Sequence, residues 1–446
     1  MLAGGTAAAC PSHHSKENPV LIRRKSFLAL GAAGASAALL AACGSSGSDS
    51  SSASDAGAAS DGGGDAAPKA DANADLVIWA DEAKATALKE PAEKWGTDNG
   101  LKVAVQTVAN DLQTSFVTAN QAGNGPDIVM GAHDWIGNLV QNGAISTVQL
   151  PSDAKDTTLS VALDAMQYNG QTYGVPYAVE TLVLFANKKL TDTPEPKTFE
   201  ELVEAGTAGG ADNVLSLPVG EEGDAYHMEP LYTSAGGYLF GKDSEGSYDP
   251  EDLGVGKEGS IAAGEKMKEL GEKGVMKTSI TGDNAISLFT DGKAAYLISG
   301  PWAIADIKKA KIDFALSAVP GFEGMDKAVP FAGVNGFYAA ANGKNAGNAQ
   351  TFLADVAGTA DLAKAMFAKN ELPPVNKDLQ KELAADNPEM AKVAELAEKN
   401  AEPMPAIPAM GEVWKPLGQA EANIIGGAEA KSTMESAGKQ IASKVA

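Results

Sequence analysis

The chain has 446 residues, a net charge of −23 and 44% apolar residues. That acidity excludes nucleic acid as a partner and argues against charge-driven attachment to anionic lipid, while the length is enough for two domains. Two cysteines and four histidines leave no disulfide framework, no thiolate metal site and no histidine-rich one.

The first element is a leader. Arg23, Arg24 and Lys25 precede an apolar run over residues 27–42 that ends Leu40-Ala41-Ala42-Cys43. A basic segment, an apolar segment and small residues before a cut form a secretory signal. The run is too short for a comfortable membrane span, which takes about 20 apolar residues. Residues 1–19 are polar and foreign to a signal, so Val20 is the expected start; the export route, general or twin-arginine, stays open. Leu40-Ala41-Ala42-Cys43 resembles the lipobox of bacterial lipoproteins. The resemblance implies that residues 1–42 are removed and that acylated Cys43 holds the protein on the lipid bilayer, at the extracellular face of a Gram-positive plasma membrane. Residues 43–74 are Ser, Gly, Ala and Asp with almost nothing large, which reads as a flexible tether.

The folded part opens with an apolar strand at 76–79. A helix follows with Leu88, Ala92 and Trp95 on one face, where Pro91 sets a late start or a kink. A second strand at 101–105, a helix at 111–122 and a third strand at 127–130 continue the rhythm of an α/β sheet with parallel pairs. Further strands fall at 294–298, 314–319 and 337–341, then a helix at 346–356. From Asp361 onward the pattern is mainly helical.

A set of fragments then runs in one order: Gly125-Pro126-Asp127-Ile128, Ala132-His133-Asp134, Tyr168-Asn169-Gly170, Val175-Pro176, Ala178-Val179-Glu180, Gly236-Gly237-Tyr238, Gly300-Pro301-Trp302, and residues 404–408 with Trp414. Their order and spacing resemble the maltose-binding-protein-like family of extracellular solute-binding lipoproteins of ABC sugar importers, over essentially the whole chain from Asp75. The resemblance implies two α/β lobes joined by a hinge, with the ligand in the cleft between them. It places the first lobe at 75–181 plus 332–387 and the second at 182–331 plus 388–446. It implies a monomer that needs no cofactor or metal, captures a malto-oligosaccharide or related α-glucoside by hinge closure, and delivers it to a membrane permease.

A sugar site needs carboxylates for paired hydroxyls and aromatic faces for C–H patches. By local pattern alone, Asp134 reads as a helix N-cap and Trp302 as core, while Trp414 stays open between core and stacking surface. Glu180, inside an apolar stretch, is costly unless paired or reached by solvent. The resemblance makes all four ligand-binding, together with Asp224, Tyr226 and Met404, and with Glu82 and Lys84 in the loop after the first strand. The chain departs from the family pattern at Gly131, Trp135, Lys415 and Gly418. Trp135 is expected to restore a stacking surface, and the two glycines suggest a more open pocket suited to longer sugars.

Other classes stay open. A tethered glycoside hydrolase would also use paired carboxylates beside aromatic rings, but no nucleophile elbow, phosphate loop or zinc motif is present, and no catalytic residue is assigned. A binding lipoprotein for a polyamine or other non-sugar solute is the second rival. Small anionic solutes are disfavoured, because no arginine lies beyond Arg24.

Overall fold

The computed structural model describes residues 68–150, 153–244 and 246–445. The leader, Cys43 and residues 43–67 of the expected tether lie outside them. The expected tether runs too far toward the fold. Ala70 donates its backbone N–H to Asn124 (2.9 Å), and Asp71 donates to Gln106 Oε1 (3.1 Å) and faces Lys102 at 3.5 Å. Small residues hide this fastening, because it uses main-chain groups.

Among the described residues, fourteen strands fall in chain order: β1 Leu76–Ala80, β2 Val103–Thr107, β3 Ile128–Ala132, β4 Gln167–Tyr168, β5 Gln171–Thr172, β6 Gly174–Thr181, β7 Val183–Asn187, β8 Asn213–Ser216, β9 Phe240–Lys242, β10 Tyr248–Leu253, β11 Ala294–Ser299, β12 Phe314–Ser317, β13 Phe331–Ala339 and β14 Glu402–Pro403. One six-stranded sheet runs β14-β13-β3-β1-β2, with β6 on β13. Its β1 is parallel to β2 and β3, whereas β13 is antiparallel to β3 and β6. A four-stranded sheet runs β12-β7-β11-β8. Helices pack on both, so the chain forms two α/β lobes. Strands β1, β3, β7 and β11 are almost wholly buried, which explains their unbroken apolar runs.

Only Leu182 separates β6 of the first sheet from β7 of the second. The chain returns between β12 and β13, and crosses again after β14, since the helices Trp414–Ile425 and Ala430–Val445 place Leu417, Ile424, Met434 and Ile441 in one core with Leu184, Phe199 and Tyr232. The helix Pro388–Asn400 serves both lobes. Its Met390 and Val393 pack with Phe185 and Phe289, and its Ala394 and Ala397 with Val179 and Tyr338.

Two sequence expectations shift. The helix Glu82–Asp98 starts early and runs through Pro91, because Asp81 caps it by accepting the N–H of Lys84. Strand β13 begins six residues before the expected 337, and Gly333 and Gly336 conceal its alternation. Gly333 is required where it stands: a β-carbon there would lie 2.9 Å from Glu180 Cγ.

Candidate functional site

The strand ends and crossings bring five rings into a chain of contacts. Trp302, in the 3-10 turn Pro301–Ala303 after β11, meets His227 edge-on with centroids 6.2 Å apart. His227 meets Tyr226 at 5.4 Å, Tyr226 stacks on Phe331 at 6.1 Å, and Phe331 meets Trp414 edge-on at 6.0 Å. Tyr226 and His227 lie in the first turn of the helix Ala225–Ser234, Phe331 opens β13, and Trp414 opens the last helix pair. Trp302 is the most exposed of these at 41%, which leaves its ring open to stack against another flat surface.

Carboxylates face this chain. Glu180 sits at the end of β6, and burial raises its pKa, with Lys84 opposing the shift and Asp134 adding to it. Asp134 lies in the 3-10 turn His133–Trp135 after β3. Burial raises its pKa too, and its Oδ1 is buried without a partner among the described residues. Burial also pushes the Tyr226 hydroxyl far up, reinforced by the charges of Glu180, Asp224 and Asp134. A carboxylate oxygen buried without a donor gains most from incoming hydroxyls.

His133 organises the turn. Its buried Nδ1 accepts the N–H of Val334 and its Nε2 donates to the carbonyl of Met404, both at 3.1 Å. That pattern fits a neutral ring, and burial holds its pKa down. Met404 therefore enters by its main chain.

The cap that local pattern assigns to Asp134 is found instead at Asp224, which the resemblance makes a ligand. Asp134 makes no cap bond. Asp224 is the cap: its Oδ1 accepts the N–H of His227 (3.1 Å) and its Oδ2 accepts Nδ1–H of the same residue (2.8 Å). Lys84 is salt-bridged to Asp81 and reaches Glu180 by charge, but it stands in a helix rather than a loop. Glu82 is exposed on that helix, and no contact ties it to the cluster among the described residues. His227 and Phe331 were not singled out from sequence. The spacing Asp224-x-x-His227 was the available signal for the first, whereas Phe331 is placed only by the crossing.

The expectation of an opened pocket does not hold at either glycine. The Trp135 indole covers Gly131, and a β-carbon there would stand 2.3 Å from the ring. Gly418 packs on Gly223: a β-carbon on Gly223, whose φ is +83°, would lie 1.7 Å from the Gly418 carbonyl oxygen. Both glycines serve close packing.

A cavity of about 1000 Å³ lies beside Met404, lined by Tyr168, Tyr248, Asp164, Glu398 and Glu402 among others. Its acids are largely engaged within the chain. Glu398 accepts from the N–H and hydroxyl of Ser160, and Glu402 pairs with Lys242 at 3.1 Å. The ring chain with its unpartnered carboxylate is the better candidate site. Among the described residues, no group of three or more His, Cys, Asp or Glu is placed to hold a metal.

Residues 88–392 match the family described as bacterial extracellular solute-binding protein. The galactooligosaccharide-binding protein of Bacillus subtilis (strain 168) is 30% identical over 382 residues, covering 83% of this chain and 90% of that one. The maltooligosaccharide ABC transporter solute-binding lipoprotein of Streptococcus pneumoniae serotype 4 is 28% identical over 403 residues, covering 88% and 90%. A solved cyclo/maltodextrin-binding protein complexed with maltotetraose superposes with a TM-score of 0.74 at 27% identity, covering 84% of this chain and 99% of that one.

Proposed function

The chain belongs to the bacterial extracellular solute-binding proteins, and from that premise we propose that it captures a malto-oligosaccharide or related α-glucoside between its lobes and delivers it to an ABC importer. The observation that carries this reading is the chain of five rings faced by Asp134 and Glu180. Sugar faces stack on Trp302 and Trp414, hydroxyls donate to the two carboxylates, and Trp135 adds a further surface. Asp134 and Glu180 come from the first lobe, and Trp302, Tyr226 and Trp414 from the second. A sugar touching both sets favours the closed form by its differential affinity. No step breaks a covalent bond, so the protein acts as a carrier.

The test is calorimetric titration of the soluble domain from Lys69 with maltose, maltotriose and maltotetraose, followed by chromatography of the recovered sugar. Saturable binding with intact sugar is expected. At 100 times Kd the ligand stabilises the fold by about 2.7 kcal/mol, visible as a rise in Tm. No heat and no rise with any glucan overturns the reading, and cleaved sugar overturns the carrier role.

The similarity to a galactooligosaccharide-binding protein favours a second reading, in which the glycan is galactose-based. Tighter binding of galactotriose than of maltotriose would establish it. We further propose that Cys43 carries the lipid anchor of a monomeric protein at the outer face of a Gram-positive membrane. Radiolabelled palmitate entering the wild type and absent from C43A tests the anchor.

A further inference from the structure

The helix Ala225–Ser234 presents one polar atom to the ring chain that the sugar reading does not yet use. We infer that His227 Nε2 is the group that takes a sugar hydroxyl at the Trp302 end of the cleft, and that Asp224 is its positioning residue.

Asp224 is already engaged within its own helix. Both its oxygens are taken by one residue, Oδ1 by the backbone N–H of His227 and Oδ2 by its Nδ1. Each oxygen keeps a further acceptor site, but these two bonds commit the carboxylate to the cap of its own helix and to the His227 ring. The same bond settles the imidazole. A carboxylate accepts only from a protonated nitrogen, so Nδ1 carries hydrogen and Nε2 is the ring atom left to meet a hydroxyl. Nε2 has no hydrogen-bond partner among the described residues, and the side chain keeps 15% of its surface open.

Packing fixes the ring. Tyr226 stands edge-on at 5.4 Å and 81°, and Trp302 at 6.2 Å and 87°. Two perpendicular rings and a carboxylate hold the imidazole before any ligand arrives, so little side-chain entropy is lost on binding. A pyranose lying on the Trp302 face carries its equatorial hydroxyls outward, and His227 is the polar group at that border. A carboxylate can accept from two neighbouring hydroxyls, whereas one ring nitrogen accepts from one. The sugar unit over Trp302 is thus read at a single hydroxyl by this residue.

The inference rests on the sugar reading, and its test separates the two. Gln places an amide atom where Nε2 stands, Asn replaces only the Nδ1 position, and Phe keeps a ring without nitrogen. Kd for the maltodextrin that the wild type binds tightest is measured for H227Q, H227N and H227F, beside the Tm of each unliganded protein. H227Q is expected to stay within about threefold of the wild type, and H227N and H227F to weaken about tenfold or more. Retained affinity in H227N with loss in H227Q would overturn the inference, since it would make the Asp224 bond the only role of His227. Unchanged affinity in H227F, at a Tm showing it folded, would overturn it as well. A wild type that binds no glucan fails the sugar reading first, and the inference falls with it.

Discussion

The indole of Trp135 rests on the α-carbon of Gly131, leaving no room for a β-carbon between them. An aromatic surface is thereby supplied from the turn after β3 rather than from the strand itself. G131A is expected to push the ring aside and weaken sugar binding about as much as W135A. The double variant should be little worse than either, because both remove one surface. Additive losses in a double-mutant cycle of Kd values would show that the two residues act separately.

Trp302 is open to solvent, whereas Trp79 on β1 is fully buried. W302A should leave Tm nearly unchanged and raise Kd at least tenfold. W79A should cost about 3–5 kcal/mol of stability by opening a cavity in the first lobe. Paired melting and titration experiments check both; a W302A protein that melts far below the wild type would return that indole to the core.

Asp134 and Glu180 are both raised by burial. As pH falls, they therefore take up protons at a higher pH than an ordinary carboxyl would, and an acceptor becomes a neutral acid. Sugar affinity should accordingly begin to fall above the usual carboxylate range. D134N and E180Q should each lose about 10- to 100-fold in affinity, and their residual binding should depend less on pH. Kd measured at intervals between pH 4 and 8 distinguishes this from acid unfolding when Tm is followed alongside.

Glu229 and Glu421 are carboxyls fully buried in the second lobe, with Glu229 Oε2 and both Glu421 oxygens lacking partners among the described residues. Burial pushes Glu229 up to about 8, and burial followed by the charges of Glu229 and Asp224 pushes Glu421 well above its ordinary value. The folded protein then holds a proton at Glu229 that the unfolded chain releases near 4.5. Its contribution is complete below pH 4.5 and is lost as pH rises toward 8, at up to about 1.4 kcal/mol per unit. Urea denaturation at pH 5, 6, 7 and 8 should give a smaller decline for E229Q than for the wild type. Equal slopes would place the proton elsewhere.

Much of this arrangement was legible from residue order. The apolar runs that became β1, β3 and β11 announce strands, and the family resemblance puts the first lobe boundary at 181/182; β7, directly after it, is not among the strands read from the sequence. What escaped was decided by tertiary geometry. A cap is an N–H pointing at an oxygen, and nothing local says that Asp224 meets one while Asp134 does not. Phe331 opens a strand whose glycines make way for Glu180 and Met166, so neither the first half of that strand nor its aromatic start shows in an alternation pattern. The pocket expected beneath Gly131 and Gly418 was filled by neighbours far apart in pattern, an indole four residues on and a backbone turn at Gly223.

Strand β13 has a consequence for how the protein assembles. It joins β3, β6 and β14, and it leaves the ribosome about 200 residues after β3. Until it arrives, β3 and β6 have no partner between them, while the second sheet, contained in residues 183–317, already has all of its strands. The first sheet thus completes after the second, and its closure spans a long segment of chain. A chain stopped short of β13 exposes two apolar strand edges to other chains, which is the form most in need of a chaperone or of delayed folding during export.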